Sequence, residues 1–244
     1  MGVLVVTGTD TEIGKTVVTA AVAAAWRDRR VAVLKPAQTG LAPGEPGDAE
    51  EAARLAGAHV TAVELARFPE PLAPATAARR SGLPPVRPYE IAEAAQKLAT
   101  EHDVVLIEGA GGLLVRFDDE GSTLADAARL LSAPVLVVAR AGLGTLNATA
   151  LTSEALRVRE LECLGVVVGS MPAQPDLAAR CNVADLPVAA GAPLLGAVPA
   201  GAGALAPADF RAGARSWLAA ELGGTRSAAP HRKPRAGEPL RSRH

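Results

Sequence analysis

Between polar turns marked by glycine and proline, the chain repeats one pattern. A short run of valine, leucine, isoleucine and alanine is followed by a longer stretch whose apolar positions recur every three or four residues. The short runs are Val3–Thr7, Val31–Lys35, Val104–Glu108, Pro134–Ala139, Leu164–Gly169 and Pro193–Val198. None alternates apolar with polar, so each predicts a strand covered on both faces, as in a parallel sheet. The longer stretches predict helices over Gly14–Arg29, Ala49–Ala56, Tyr89–His102, Thr123–Leu131, Leu146–Leu161 and Pro207–Leu222. Strand and helix in alternation predict an α/β fold with a doubly wound, mostly parallel sheet and right-handed crossovers. Ligands in such folds sit beyond the carboxyl ends of the strands.

Two segments break the pattern. Phe68–Pro88 carries Pro69, Pro71, Pro74, Pro84, Pro85 and Pro88 and is expected to run over the surface, where it can cover a site. From Thr225 onward the chain is polar, basic and aperiodic, so residues 1–224 are expected to form one domain and 225–244 a disordered tail. The cluster His231-Arg232-Lys233 reads as a solvated part of that tail.

Composition narrows the function classes. The formal net charge is −1, which gives no global attraction to nucleic acid or an anionic membrane. No apolar run approaches the length that spans a bilayer, and no signal peptide precedes the first strand, so a cytoplasmic protein is expected. Cys163 and Cys181 have no metal-ligand spacing and read as ordinary thiols. Arginine dominates the basic residues, and lysine occurs only at Lys15, Lys35, Lys97 and Lys233. Lys15 and Lys35 follow strands, where a compact ammonium fits beside phosphate oxygens better than a planar guanidinium.

The strongest chemical signal is Gly8-Thr9-Asp10-Thr11-Glu12-Ile13-Gly14-Lys15-Thr16, set between the first strand and the first helix. Its glycines allow a tight turn whose N–H groups face an anion at a helix N-terminus. Lys15 then reaches terminal phosphates, and the Thr16 hydroxyl is placed to ligate Mg²⁺. The loop has five residues between Gly8 and Gly14, one more than the usual spacing. This architecture is P-loop NTPase-like. Lys35-Pro36-Ala37-Gln38-Thr39-Gly40 follows the second strand, where Pro36 is expected to stop the strand and Lys35 to point into the cleft beside Lys15. The alternative for Lys35 is a side chain that snorkels from a strand end. Glu108-Gly109-Ala110-Gly111-Gly112 puts a carboxylate at the tip of a buried strand, as for a metal-associated acid in phosphoryl transfer. Asp48 reads as either a helix cap or a second metal-associated carboxylate. Gly142-Leu143-Gly144-Thr145-Leu146-Asn147 opens another helix and is a weaker anion site.

These motifs, with Glu-Gly-Ala-Gly-Gly-Leu-Leu-Val continuing to Val115, resemble the dethiobiotin synthetase family in residues, order and spacing from about Met1 to Leu222. The resemblance implies an ATP-dependent ligase of biotin biosynthesis, homodimeric and Mg²⁺-dependent. Its substrates are 7,8-diaminononanoate and CO₂, and neither nucleic acid nor membrane is a partner. One amine becomes a carbamate, which attacks the γ-phosphate to give a carbamic–phosphoric anhydride, and the second amine closes a cyclic urea. By position, the resemblance implies Lys35 as the catalytic residue, and Thr16, Asp48 and Glu108 around Mg²⁺. It implies Glu12, Ile13, Gly14, Lys15, Thr16 and Val17 on the triphosphate, with Asp48, Glu108, Gly109, Ala110 and Gly111 beside the nucleotide. Thr11 and Thr39 would contact the diamine. Gly144, Thr145, Leu146 and Asn147 would bind its carboxylate tail, across a dimer interface, and Pro71 and Ala73 would border it.

One departure changes an expectation. Many members carry an asparagine after the fifth of these strands that reads adenine, whereas here the strand ends Val168-Gly169-Ser170-Met171-Pro172. Gly169 and Ser170 are then expected to touch the base through backbone, opposite Pro199, Ala200 and Gly201, with ATP and other nucleoside triphosphates accepted. Three other readings compete. Partitioning ATPases carry a lysine where this loop has Asp10, and an acid there suits an amine substrate. Glutamine-dependent amidating relatives need a further domain for which the chain has no room. A nucleotide-binding regulator would work through the basic tail.

Overall fold

The computed structural model describes residues 2–42 and 44–229. The sheet has seven strands, all parallel: β1 Val3–Gly8, β2 Val31–Thr39, β3 Val60–Phe68, β4 Val104–Gly112, β5 Val135–Ala139, β6 Cys163–Met171 and β7 Leu194–Pro199. Their spatial order is β3-β2-β4-β1-β5-β6-β7. The helices are α1 Lys15–Ala25, α2 Asp48–Ala56, α3 Pro74–Ser81, α4 Pro88–Ala99, α5 Leu124–Leu131, α6 Thr145–Val158, α7 Leu177–Ala190 and α8 Pro207–Trp217. Apolar runs without alternation became central strands because both of their faces are covered. One core layer sets Val33, Leu106, Leu136 and Val167 against α1, α2 and α8. The other sets Leu34, Ile107, Val137 and Val168 against α3 to α7. Helix α1 lies wholly inside the first layer, so its exposed face is almost nil and alanine fills it (Ala20 to Ala24). Small side chains let this helix pack closely on the sheet.

The structure adds elements that the pattern did not predict. β3 is an edge strand with partly exposed Thr61, Glu64, Leu65 and Arg67, so it lacks the unbroken apolar run of a central strand. Helix α3 lies within the proline-rich segment and starts at Pro74, a position where the missing N–H is not needed. Helix α7 contains Pro187 and has no clear apolar stripe. Pro36 does not end β2, which continues to Thr39 paired with β3 alone. The ladder to β4 stops at Leu34, so the missing N–H lies on the side where no partner strand remains.

The chain also stays in contact with the domain past residue 224. Ala229 and Leu194 exchange both backbone hydrogen bonds at 3.1 Å, and Arg226 N–H donates to Leu218 C=O at 2.9 Å. These residues cover the outer edge of β7, which would otherwise present unpaired backbone groups. The rest of the predicted tail, including His231-Arg232-Lys233, lies outside the described residues. Among the described residues no helix is long and apolar enough to cross a membrane.

Phe210 on α8 is fully buried and meets Trp217 edge-on, with ring centroids 5.2 Å apart. Phe210→Ala is expected to cost about 3–5 kcal/mol of stability, checked by the shift in denaturant midpoint at unchanged slope.

Candidate active site

The loop from Gly8 to Gly14 turns through two left-handed residues, Glu12 at φ 53° and Gly14 at φ 91°. Glycine is required at residue 14 for space as well as for φ, since a Cβ there would lie 2.5 Å from the Gly169 carbonyl oxygen. A Cβ on Gly169 would in turn lie 2.0 Å from the Ile13 carbonyl oxygen. The end of β6 therefore backs the loop directly. Lys15 is buried at the start of α1, and its Nζ donates to the Asp10 carbonyl at 2.8 Å. Burial, with Lys35 as a neighbouring positive charge, pushes the Lys15 ammonium down to about 8.

The Asp10 carboxylate, whose sequence position suits an amine substrate, is engaged by donors of the protein itself. It accepts from Thr11 N–H at 2.8 Å and from Arg140 Nη2 at 3.1 Å. These two donors hold its pKa below the usual carboxylate range. The same Arg140 nitrogen donates to the Thr11 carbonyl at 3.1 Å, so the acid serves the shape of the loop.

β2 pairs with β4 only from Val31 to Leu34, opposite Val104 to Ile107. Lys35 and Glu108 are the next residue on each strand, at the point where the two part. Both are buried. Lys35 Nζ lies 3.0 Å from Glu108 Oε1, 2.5 Å from Asp48 Oδ2 and 3.2 Å from the Gly109 carbonyl oxygen. Burial acts to lower the pKa of this ammonium, but Glu108 and Asp48 outweigh it and raise the value above that of a free lysine. The snorkelling alternative is therefore excluded, because the charge is fully enclosed and paired. Thr16 Oγ1 donates to Glu108 Oε1 at 2.8 Å, which ties α1 to the tip of β4. Asp48 does not cap its helix. Gly47 precedes α2, and Glu50 Oε2 accepts from Gly47 N–H at 3.0 Å.

Lys15, Lys35, Thr16, Asp48 and Glu108 share one cleft of about 1060 Å³. Thr11, Glu12, Ile13, Gly14, Val17, Thr39, Ala110 and Gly111 also line it, as do Pro71 and Ala73 from the proline-rich segment. That segment does border the cleft, by way of the start of α3. Gly109 lies behind the lining, with its carbonyl on Lys35. Gly169, Ser170, Pro199, Ala200 and Gly201 do not line the cleft. Gly169 touches Gly14, and Ala200 N–H donates to Met171 C=O at 2.7 Å, joining the ends of β6 and β7. Gly144, Thr145, Leu146 and Asn147 begin α6 outside the cleft, so this chain does not bring them to it. Gln38, Glu64 and Arg67 were missed as contributors. Gln38 lay inside a motif already singled out, whereas Glu64 and Arg67 belong to the unpredicted strand and carried no local signal.

A family model described as an AAA domain matches residues 3–205. The chain is 72% identical over 227 residues to the ATP-dependent dethiobiotin synthetase BioD of Streptomyces avermitilis, covering 92% of this chain and 95% of the relative. It is 70% identical over 224 residues to the protein of that name from Saccharopolyspora erythraea, covering 92% and 98%. It is 50% identical over 213 residues to that of Mycobacteroides abscessus, covering 86% and 92%. Among solved structures, the MinC:MinD cell division complex of Aquifex aeolicus matches at a TM-score of 0.55 and 14% identity, covering 88% of this chain and 86% of that one. A ParA family ATPase of Chlorobium tepidum matches at 0.53 and 12%, covering 86% and 88%. These likenesses show a shared P-loop NTPase fold.

The depressed pKa of Lys15 makes anion binding pH-linked. Above about pH 8 the free protein loses this charge, and a phosphate bound beside Lys15 would restore it. ATP affinity is therefore expected to fall as pH rises through 8. Calorimetry at pH 8 in buffers of different ionisation enthalpy should show uptake of about half a proton per ATP bound.

Proposed function

This chain belongs to the ATP-dependent dethiobiotin synthetases, ligases of biotin biosynthesis that act on a small-molecule substrate, and on that premise we propose how its cleft performs the reaction. The observation that carries the proposal is the convergence of Lys15 and Lys35 on one cleft, with Lys35 held between Glu108 and Asp48.

One amine of 7,8-diaminononanoate adds to CO₂ and loses a proton, giving a carbamate. A carbamate oxygen attacks the γ-phosphorus of ATP and ADP leaves, giving a carbamic–phosphoric anhydride. The second amine then attacks the carbonyl carbon, loses a proton and expels phosphate, which closes the ureido ring. Both reactants of the second step are anions, so they repel each other until positive charge is set between them. In this reading Lys35 supplies a fixed charge that needs no reorganisation, because Glu108, Asp48 and the Gly109 carbonyl already hold it. Lys15 and the N–H groups of the loop, from Glu12 to Val17, hold the β- and γ-phosphates. Thr11 and Thr39, which line the same cleft, orient the diamine. Glu12, Asp48, Glu51 and Glu108 also line the cleft, so its four acids outnumber its two lysines. That balance favours a cationic diamine over a lone polyanion.

The same balance calls for a further cation with the nucleotide. Glu108 Oε2 is buried without a hydrogen-bond partner, and the other available donors, Thr16 Oγ1 and Asp48, are also hard oxygens. The set fits Mg²⁺, which usually binds through one or two carboxylates together with phosphates and water. When bound, Mg²⁺ would neutralise charge on the phosphate oxygens. Thr16, Asp48 and Glu108 are the residues that would hold it.

Gly144, Thr145, Leu146 and Asn147 fit the carboxylate tail only if a second copy brings them to this cleft. A homodimer through α6 and α7 is supported by their exposed apolar residues. Leu143 is 93% exposed beside this turn, and Leu151, Val158, Leu177 and Val188 are exposed along the two helices. The base is read by backbone at Gly169 and Ser170, facing Pro199, Ala200 and Gly201. We assign the activity to the cytoplasm, where thiols such as Cys163 and Cys181 stay reduced.

The reaction is tested by supplying the diamine, bicarbonate, Mg²⁺ and ATP and seeking the ureido product by mass; nucleotide hydrolysis indifferent to the diamine would refute it. Lys35→Gln is expected to lower kcat by about 10²–10³ with little change in ATP affinity. Equal loss of both would remove its assigned role. Without an amide to read the base, kcat/KM values for ATP, CTP and GTP are expected to lie within about a hundredfold of one another.

A further inference from the structure

Asp48 sits at the first position of α2, and nothing in its own turn directs its side chain. Its direction is set from outside. Gln38, buried on β2, accepts from Asp48 N–H through Oε1 at 2.9 Å. On the neighbouring edge strand, Arg67 makes a forked pair with Glu64, Nε to Oε2 at 3.0 Å and Nη2 to Oε1 at 2.9 Å. Its remaining nitrogen, Nη1, donates to the Glu45 carbonyl at 2.5 Å. The Glu64 carboxylate fills the space beside Gly47, where a Cβ would lie 1.8 Å from Oε1. Gly47 has φ −87°, an ordinary value, so glycine stands there for space and not for backbone freedom. The side chains of Arg67 and Glu64 are 25% and 17% exposed. The pair is thus better shielded than a surface ion pair, and it uses its donors on the backbone that delivers Asp48.

Resting on the metal and lysine roles of Asp48 given above, we propose that Arg67 is a positioning residue: with Glu64 it clasps the β2–α2 connection, so that the Asp48 carboxylate meets Lys35 and the metal position. Arg67 does not line the cleft, so its effect reaches the chemistry through the connection it holds, of which Asp48 is the residue in contact with Lys35. A guanidinium is needed because three of its nitrogens are used at once, two on a carboxylate and one on a carbonyl.

The test compares wild type with Arg67→Met, Arg67→Lys, Asp48→Asn and the double variant Arg67→Met/Asp48→Asn. ATP binding is followed calorimetrically with Mg²⁺ and with EDTA, and turnover is measured at saturating substrates. Loss of an outer partner of a metal-ligating carboxylate is expected to reduce the Mg²⁺-dependent gain in ATP affinity about tenfold in Arg67→Met, leaving affinity in EDTA unchanged. Arg67→Lys is expected to recover only part of the loss. In the Asp48→Asn background Arg67→Met should have no further effect, since the two act as one unit. Gly47→Ala is a second route to the same result, because its methyl group displaces the Glu64 carboxylate while Arg67 is kept. Should Arg67→Met fail to fold, Gly47→Ala decides. Equal loss of affinity with and without Mg²⁺, or full additivity with Asp48→Asn, overturns the clasp. An impaired Asp48→Asn beside an unaffected Arg67→Met does the same and leaves the role of Asp48 standing. An unaffected Asp48→Asn overturns that role and the clasp together.

Discussion

The site depends on enclosing the Lys35 ammonium where β2 and β4 separate. An unpaired charge at that depth would cost several kcal/mol, so the lysine is tolerable only with Glu108 and Asp48 in contact. Each contact draws in a different element. Glu108 brings β4 and, through Thr16, the start of α1. Asp48 brings α2, and with it the clasp from β3. Four elements of separate origin are thus tied to one nitrogen. The geometry of the cleft follows from satisfying that charge.

The same enclosure gives the two lysines different characters. Lys35 is paired and stays charged whatever binds. Lys15 bonds only to a carbonyl and stands near another cation, so it holds its proton weakly. One is a permanent part of the site, and the other gains its full charge from the ligand. This division suits the proposed reaction, in which a nucleotide activates the carbamate.

Much of this was legible in the sequence because it is local. The phosphate loop, Lys35, Glu108 and the central strands each announce themselves within ten residues, through spacing or an unbroken apolar run. The parts that were not legible are those decided at a distance. β3 is an edge strand whose mixed pattern carries no period, so Glu64 and Arg67 had no visible role. Asp48 reads as cap or cleft residue in the sequence because the cap lies one residue earlier, at Gly47, whose N–H donates to Glu50. Asp10 looks free to meet an amine in the sequence because Arg140, which follows the neighbouring strand β5, is remote from it along the chain. Pro36 reads as a stop in the sequence, although only one side of β2 loses its partner there.

The contact of Gly14 with Gly169 has a consequence for how such a site can change. Main chain meets main chain there, with no side chain between to absorb an adjustment. The loop proposed to grip phosphate and the strand end proposed to face the base therefore share one frame. Evolution or design that seeks a new base preference must leave this seam alone and work from Ser170 outward. Any side chain added at the seam itself would displace the loop as a whole.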